Sequence, residues 1–286
     1  MMAQSPEVVY LQEPFNLSYY NPGLCGAQFD TSFRYITADN EADYLPHFRK
    51  TIALSYSWRG GFKRVKGPGT LLYTIREGRE FSRHQRAGHR ALFKDPFALL
   101  SAEWMAERMN TAVIVLIRHP AAFVSSVKRF NWITPLYQLL EQPLLMRDLL
   151  EPCRAELEEY AQDKYGVVAK AAAFWKFVYF VVDGYRQRHA DWLFVRHEDL
   201  SLAPVEGFRQ IFEFVDLPYT ANIIQTIQEY SDKKNPKQAE GDTSVARLNS
   251  RANIYNWKER LTTEEIEQVR LITADIARLY YTDEEW

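Results

Sequence analysis

Cysteine is nearly absent from this 286-residue chain: there are two, Cys25 and Cys153, far apart and with no Cys or His at metal spacing. That excludes a disulfide framework and a cysteine-based zinc site, and it fits a reducing compartment such as the cytoplasm. A long apolar run is also missing. The nearest, 171–182, is short and broken by Lys176, too little to span a bilayer. The opening residues Met1-Met2-Ala3-Gln4-Ser5-Pro6 lack the charged and apolar regions of a signal peptide. There is no charge of one sign, the formal net charge being −2, so no global field points to nucleic acid. Repeats and low-complexity tracts are lacking too.

What is present is globular: 47% hydrophobic and 25% charged residues, with 14% aromatics, which fits a ring-rich core or pocket. The length allows one large α/β domain, and 1–286 reads as a single one. Short β-rich runs at 7–12, 91–94, 112–117 and 192–195 alternate with helical patterns. The clearest helix spans 168–188, with Phe174, Trp175, Val178, Val181, Val182 and Tyr185 on one stripe. The 112–117 run is apolar on both faces, as a central parallel strand is. Pro120, Pro204 and the Thr262/Glu265 capping box open further helices. Residues 16–58 read as irregular, 135–166 as broken helix and 232–253 as a polar loop. Strand–helix alternation of this kind predicts a mostly parallel sheet with helices on both faces, whose ligands bind beyond the C-terminal strand ends.

Candidate residues sit at those ends. Arg118 follows the 112–117 strand and directly precedes a helix start, where a guanidinium, free backbone N–H groups and the helix dipole converge on an anion. Ser126 lies two turns on. Glu13 ends the first strand, Lys94 and Asp95 the second. Residues 59–94 hold ten Lys or Arg against Glu77 and Glu80, either a solvated helix and loop or a cationic approach to an anionic ligand.

The stretch Ile117-Arg118-His119-Pro120-Ala121-Ala122-Phe123-Val124-Ser125-Ser126 resembles the 3′-phosphate motif of sulfotransferases that use 3′-phosphoadenosine 5′-phosphosulfate. The segment 195–200 with the helix after Pro204, and Asn256-Trp257-Lys258 near the C-terminus, are similar to further elements of that family. The resemblance covers Val8 to about Tyr280. It implies a P-loop-like α/β fold with Arg118 and Ser126 on the 3′-phosphate and Arg251, then Arg247, in a segment closing over it. His197 falls where many members carry a Tyr near the adenine. By analogy with the carbohydrate-type branch, Glu13 is the general base, Asp95 the alternative base, and Lys94 lies near the sulfuryl group or the acceptor. The acceptor is then a small-molecule or carbohydrate hydroxyl, a glycolipid included, and no metal is required.

Family members begin with a strand and a loop of the type Arg-Ser-Gly-Thr-Thr that wraps the 5′-phosphosulfate. Nothing like it occurs in this sequence, and Gly60-Gly61 and Gly67-Pro68-Gly69 do not open apolar helices. The expectation is an N-terminally truncated sulfotransferase whose first visible strand lacks a neighbour and which transfers sulfate poorly as written. Two other readings stay open. A P-loop nucleotide phosphotransferase needs a Walker-type Lys and a magnesium-binding Asp in context. A non-catalytic relative keeps the fold and binds the cosubstrate only.

Overall fold

The structure, a computed structural model, describes residues 1–238 and 247–286. The chain divides into two compact units, Met2–Val113 and Ile114–Trp286, the latter with Met1.

In the first unit, β1 (Val8–Gln12) pairs in parallel with β2 (Arg90–Lys94), Val8 opposite Arg90 and Gln12 opposite Lys94. Both strands are short and rich in branched and aromatic residues, and Pro14 and Pro96 forbid their extension. Three helices lie between them in sequence: α1 (Leu45–Ile52), α2 (Trp58–Phe62) and α3 (Pro68–Arg86). The segment expected to be irregular thus contains α1. Its apolar spacing, with Phe48 fully buried and Pro46 in the first turn, is masked in the sequence by surrounding aromatic and polar residues. A 3₁₀ segment, Pro96–Ser101, leads into α4 (Ala102–Met109). Phe15, Phe29, Phe48 and Trp104 form the ring-rich core of this unit, with Phe15 and Phe48 centroids 4.8 Å apart.

In the second unit, β3 (Ile114–Ile117) pairs in parallel with β4 (Leu193–Arg196). β3 is shorter than the apolar run that predicted it, and Leu116 is exposed, so it is not covered on both faces. α5 (Pro120–Phe130) follows β3, and α6 (Val167–Arg188) leads back to β4, which pairs with β3 in parallel. After β4 come α7 (His197–Leu202), which no separate signal announces in the sequence, and α8 (Pro204–Phe214). α9 (Trp257–Arg260) precedes α10 (Thr263–Ala277), whose capping box forms as expected between Thr262 and Glu265. Ala121, Ala122, Val124 and Val127 of α5 pack with Ala171, Ala172, Trp257 and Val269, small residues letting α5 and α6 approach closely. Part of the expected 232–253 loop, 239–246, lies outside the described residues; Ser250–Asn253 forms a helical turn.

The α/β class and the parallel pairing match the sequence reading. The strands form two pairs, one in each unit. Cys25 and Cys153 are free thiols. Among the described residues no helix is long and apolar enough to cross a membrane, and no His/Cys/Asp/Glu group could hold a metal ion.

Candidate active site

Parallel pairing in register brings the ends of β1 and β2 side by side, and with them two of the expected residues. Lys94 Nζ donates to Glu13 Oε1 at 2.8 Å, and Asn16 Nδ2 donates to Glu13 Oε2 at 2.7 Å. Glu13 has φ of +42°, a left-handed conformation that costs a non-glycine residue roughly 1–2 kcal/mol. Strain of this kind is retained where the surroundings over-determine it, often at functional positions. The bend at Glu13 lets the chain leave the strand before Pro14 while its carboxylate stays over the strand ends.

Asp95, the alternative base, is engaged otherwise. Its Oδ2 accepts the Phe15 N–H at 2.7 Å and its Oδ1 the Phe97 N–H at 2.9 Å, capping the 3₁₀ segment and tying the post-β1 turn to β2. Burial pushes its pKa up to about 6, against the pull of those N–H donors and with the Glu13 charge adding to the rise.

In the second unit the turn after β3 is held at its backbone from three directions. The Arg118 N–H donates to Tyr179 Oη at 2.8 Å, and Trp175 Nε1–H donates to the Arg118 carbonyl at 2.9 Å. The His119 N–H donates to Glu198 Oε1 at 3.0 Å. Glu198 Oε2 accepts the Tyr281 hydroxyl at 2.9 Å, so one carboxylate of α7 locks the turn to the residues beyond α10. Trp175 of the α6 stripe, and Tyr179 one turn on, thus hold this turn as well as packing in the core.

His119 caps α5, its Nδ1 accepting the Ala121 N–H at 3.2 Å. Its ring stacks on Trp257 at 5.0 Å and meets Tyr281 and Trp286 edge-on at 4.7 and 4.6 Å. Burial, with Lys258 and Arg196 nearby, drops its pKa to about 3, so the ring is neutral and its Nδ1 free to accept. The Trp257-Lys258 pair singled out in the sequence thus serves first to enclose this ring.

The Arg118 guanidinium lies against Glu198, and its Nε is enclosed without a hydrogen-bond partner. Burial lowers its pKa and Glu198 opposes that shift; the group stays cationic. Arg260, not foreseen from the sequence, has its pKa lowered by burial and then by Arg129 and Arg118, and its Nε too is enclosed and unpartnered. Three guanidinium groups that repel one another, two with unused donors, fit a multiply charged anion. A signal was available in the sequence, since Arg260 is three residues beyond Trp257, but only the packing of α9 on α5 places it.

Of the other expected residues, Ser126 is buried and its hydroxyl donates back to the Ala122 carbonyl at 3.2 Å. Ser125 beside it is buried with an unpartnered hydroxyl. His197 lies near Arg118, and burial followed by that charge lowers its pKa to about 4. Arg251 is exposed on the helical turn 250–253. Arg247 pairs with Glu229 at 3.4 Å and lies over the Tyr230 ring. Arg118, His197 and Arg260 come together, and the turn that carries Arg251 packs on α7, the Ser250 hydroxyl donating to the Ser201 carbonyl at 2.8 Å.

The family model described as "Sulfotransferase domain" matches residues 39–280, most of the chain. The chain belongs to that family and is a sulfotransferase. A solved structure, "Sulfotransferase Domain from the Curacin Biosynthetic Pathway", is similar at 12% identity and a TM-score of 0.42, over 96% of this chain and 97% of that one. No curated protein sequence matched the chain.

Proposed function

We propose that this sulfotransferase takes its sulfuryl group from 3′-phosphoadenosine 5′-phosphosulfate and passes it to a hydroxyl acceptor, a small molecule or a carbohydrate, glycolipids included. The observation that carries this reading is the pair of enclosed, unpartnered Nε donors of Arg118 and Arg260, beside a turn fixed by Tyr179, Trp175 and Glu198. A preorganised cationic site at a helix start suits the 3′-phosphate that distinguishes this donor from ordinary adenine nucleotides. Arg118 and the Ser126 hydroxyl grip that phosphate, with Ser125 able to supply a second hydroxyl. His197 lines the adenine side, and Arg251 closes over the phosphate from the segment after Asn249. The whole chain acts as one sulfotransferase domain.

Glu13 is the base. In the reaction its carboxylate takes the acceptor's proton as the acceptor oxygen bonds to sulfur, the S–O bond to the 5′-phosphate breaks, and 3′,5′-adenosine bisphosphate leaves with the electron pair. Asp95 is a poor second choice, because both its oxygens already hold backbone N–H groups. In the resting pair the Lys94 ammonium holds the Glu13 carboxylate at 2.8 Å. Lys94 then turns from Glu13 to the charge developing on the leaving side, which frees the Glu13 Oε1 that it occupies at rest.

The test is calorimetric titration with 3′-AMP, 5′-AMP and 3′,5′-adenosine bisphosphate. The 3′-phosphorylated nucleotides are expected to bind with clear preference over 5′-AMP, and Arg118→Ala to abolish the preference. No preference in the folded protein overturns the donor assignment. Glu13→Gln is expected to keep binding and lower turnover by about 10²–10⁴-fold. Binding without turnover over a broad panel of hydroxyl acceptors overturns the catalytic part and leaves a cosubstrate-binding relative.

A further inference from the structure

Apart from Lys94, the basic stretch 59–94 has no part in the mechanism above, yet it has its own order. α3 carries Leu72, Arg76, Arg79, Arg83 and Arg86 at alternating spacings of four and three, which places them along one helix face over about 21 Å. All five are exposed. The four guanidinium groups make no ion pair or hydrogen bond among the described residues. The two carboxylates of the stretch are engaged elsewhere. Glu77 accepts from the Tyr56 hydroxyl at 2.7 Å and Asn21 at 3.0 Å and pairs with Arg64, and Glu80 faces His84 at 3.8 Å. Four arginines in a row with no counter-charge repel one another, a cost in stability that a solvated helix does not need.

A second feature lies at the same end of the unit. Leu72 is 69% exposed and Tyr73 58%, with Leu71 beside them. Trp58 and Phe62 of α2 are also exposed, their rings 6.1 Å apart. The Trp58 ring lies across Gly78, where a Cβ would come within 2.5 Å of it. Gly78 is seven residues beyond Leu71 and shares its helix face, so α2 sets its aromatics along α3 about 10 Å from the apolar first turn. Exposed Arg59, Lys63 and Lys66 are interleaved with them.

We infer that α2 and α3 form a peripheral docking surface for an anionic lipid bilayer. Cations meet the phosphate and carboxylate headgroups, while Phe62, Leu71, Leu72 and Tyr73 enter the interfacial layer. Charge complementarity names an anionic partner, and the exposed apolar side chains choose a bilayer among anionic partners. A soluble linear polyanion uses the arginines and leaves the leucines in water, whereas a membrane surface uses both. The inference does not depend on the sulfuryl-transfer reading, though a membrane-held enzyme would meet lipid-borne hydroxyl acceptors at high local concentration.

The experiment is co-flotation of the full chain with phosphatidylcholine vesicles, with and without phosphatidylserine, and in parallel retention on immobilised heparin. Binding to the anionic vesicles alone is expected, with loss at high salt. Each arginine replaced by glutamine is expected to lower partitioning about fivefold, the equivalent of about 1 kcal/mol per basic residue. The variant R76Q/R79Q/R83Q/R86Q then loses more than a hundredfold. L72S/Y73S weakens binding while keeping its salt dependence. These side chains are exposed, so circular dichroism is expected to show unchanged folds. Three results overturn the inference: no flotation of the folded parent, equal flotation of the quadruple variant, or heparin retention without vesicle binding, which assigns the stripe to a linear polyanion instead.

Discussion

Glu198 offers the sharpest test of how the Arg118 turn is held. It is buried, and its two oxygens serve two donors, the His119 N–H at 3.0 Å and the Tyr281 O–H at 2.9 Å. Glu198→Ala removes both acceptors at once. A buried donor left without a partner costs about 1–3 kcal/mol, so the pair amounts to about 2–6 kcal/mol. Removing the carboxylate set against the Arg118 guanidinium adds to that. For a chain of this size each kcal/mol moves the melting temperature about 2–4 °C, which places the drop at about 5–20 °C. Glu198→Gln keeps a carbonyl acceptor for His119, and the Tyr281 hydroxyl can turn to accept from the new amide. Only the charge is lost, and the expected cost is under about 2 kcal/mol. Thermal unfolding followed by near-ultraviolet circular dichroism separates the two, and titration with 3′,5′-adenosine bisphosphate reports whether the turn keeps its shape. An alanine variant that melts with the parent, or a glutamine variant as unstable as the alanine one, would refute the claim that Glu198 works as a double acceptor.

Replacing the strained Glu13 by glycine should leave stability equal or raised by up to about 1 kcal/mol, since glycine adopts positive φ freely, while sulfuryl transfer is lost; a stable, active Glu13→Gly variant contradicts its role as base. Gly78→Ala should destabilise by about 1–3 kcal/mol despite alanine's better helix propensity, because the added Cβ meets the rigid Trp58 ring at 2.5 Å, and a denaturant midpoint at or above the parent's refutes this. Acid should act through His119 and His197, whose native pKa values near 3 and 4 lie below the ordinary 6.5. Between those values the unfolded state binds the protons and the native state does not, so stability is complete above about pH 6.5 and falls as pH drops. Asp95, raised from 3.8 to about 6, acts in the opposite sense, so its stability contribution declines as pH rises through that window. Two histidines outweigh one aspartate, and melting temperature should climb from pH 4 to 6.5, less steeply in His119→Asn.

The sequence alone determined the short parallel strands, the long α6 stripe and the helix starts. Each rests on local chemistry: apolar periodicity, a proline that stops a ladder, a capping box that satisfies end donors. It also marked where the strands stop, since Glu13, Lys94 and Arg118 each follow or close an apolar run. α1 escaped because its apolar face is short and stands among aromatics that carry no clear period. α7 escaped because its six residues continue a strand end without a separate signal. Only the tertiary structure decided the partners. The register of β1 on β2 put Lys94 on Glu13 across eighty-one residues of chain. Long-range packing made Tyr179, Trp175 and Glu198 the frame of the Arg118 turn, and brought Arg260 to the guanidinium cluster. It also tied both Asp95 oxygens to backbone N–H groups, because whether a carboxylate is free depends on the backbone donors around it, and those are fixed by where the chain goes next.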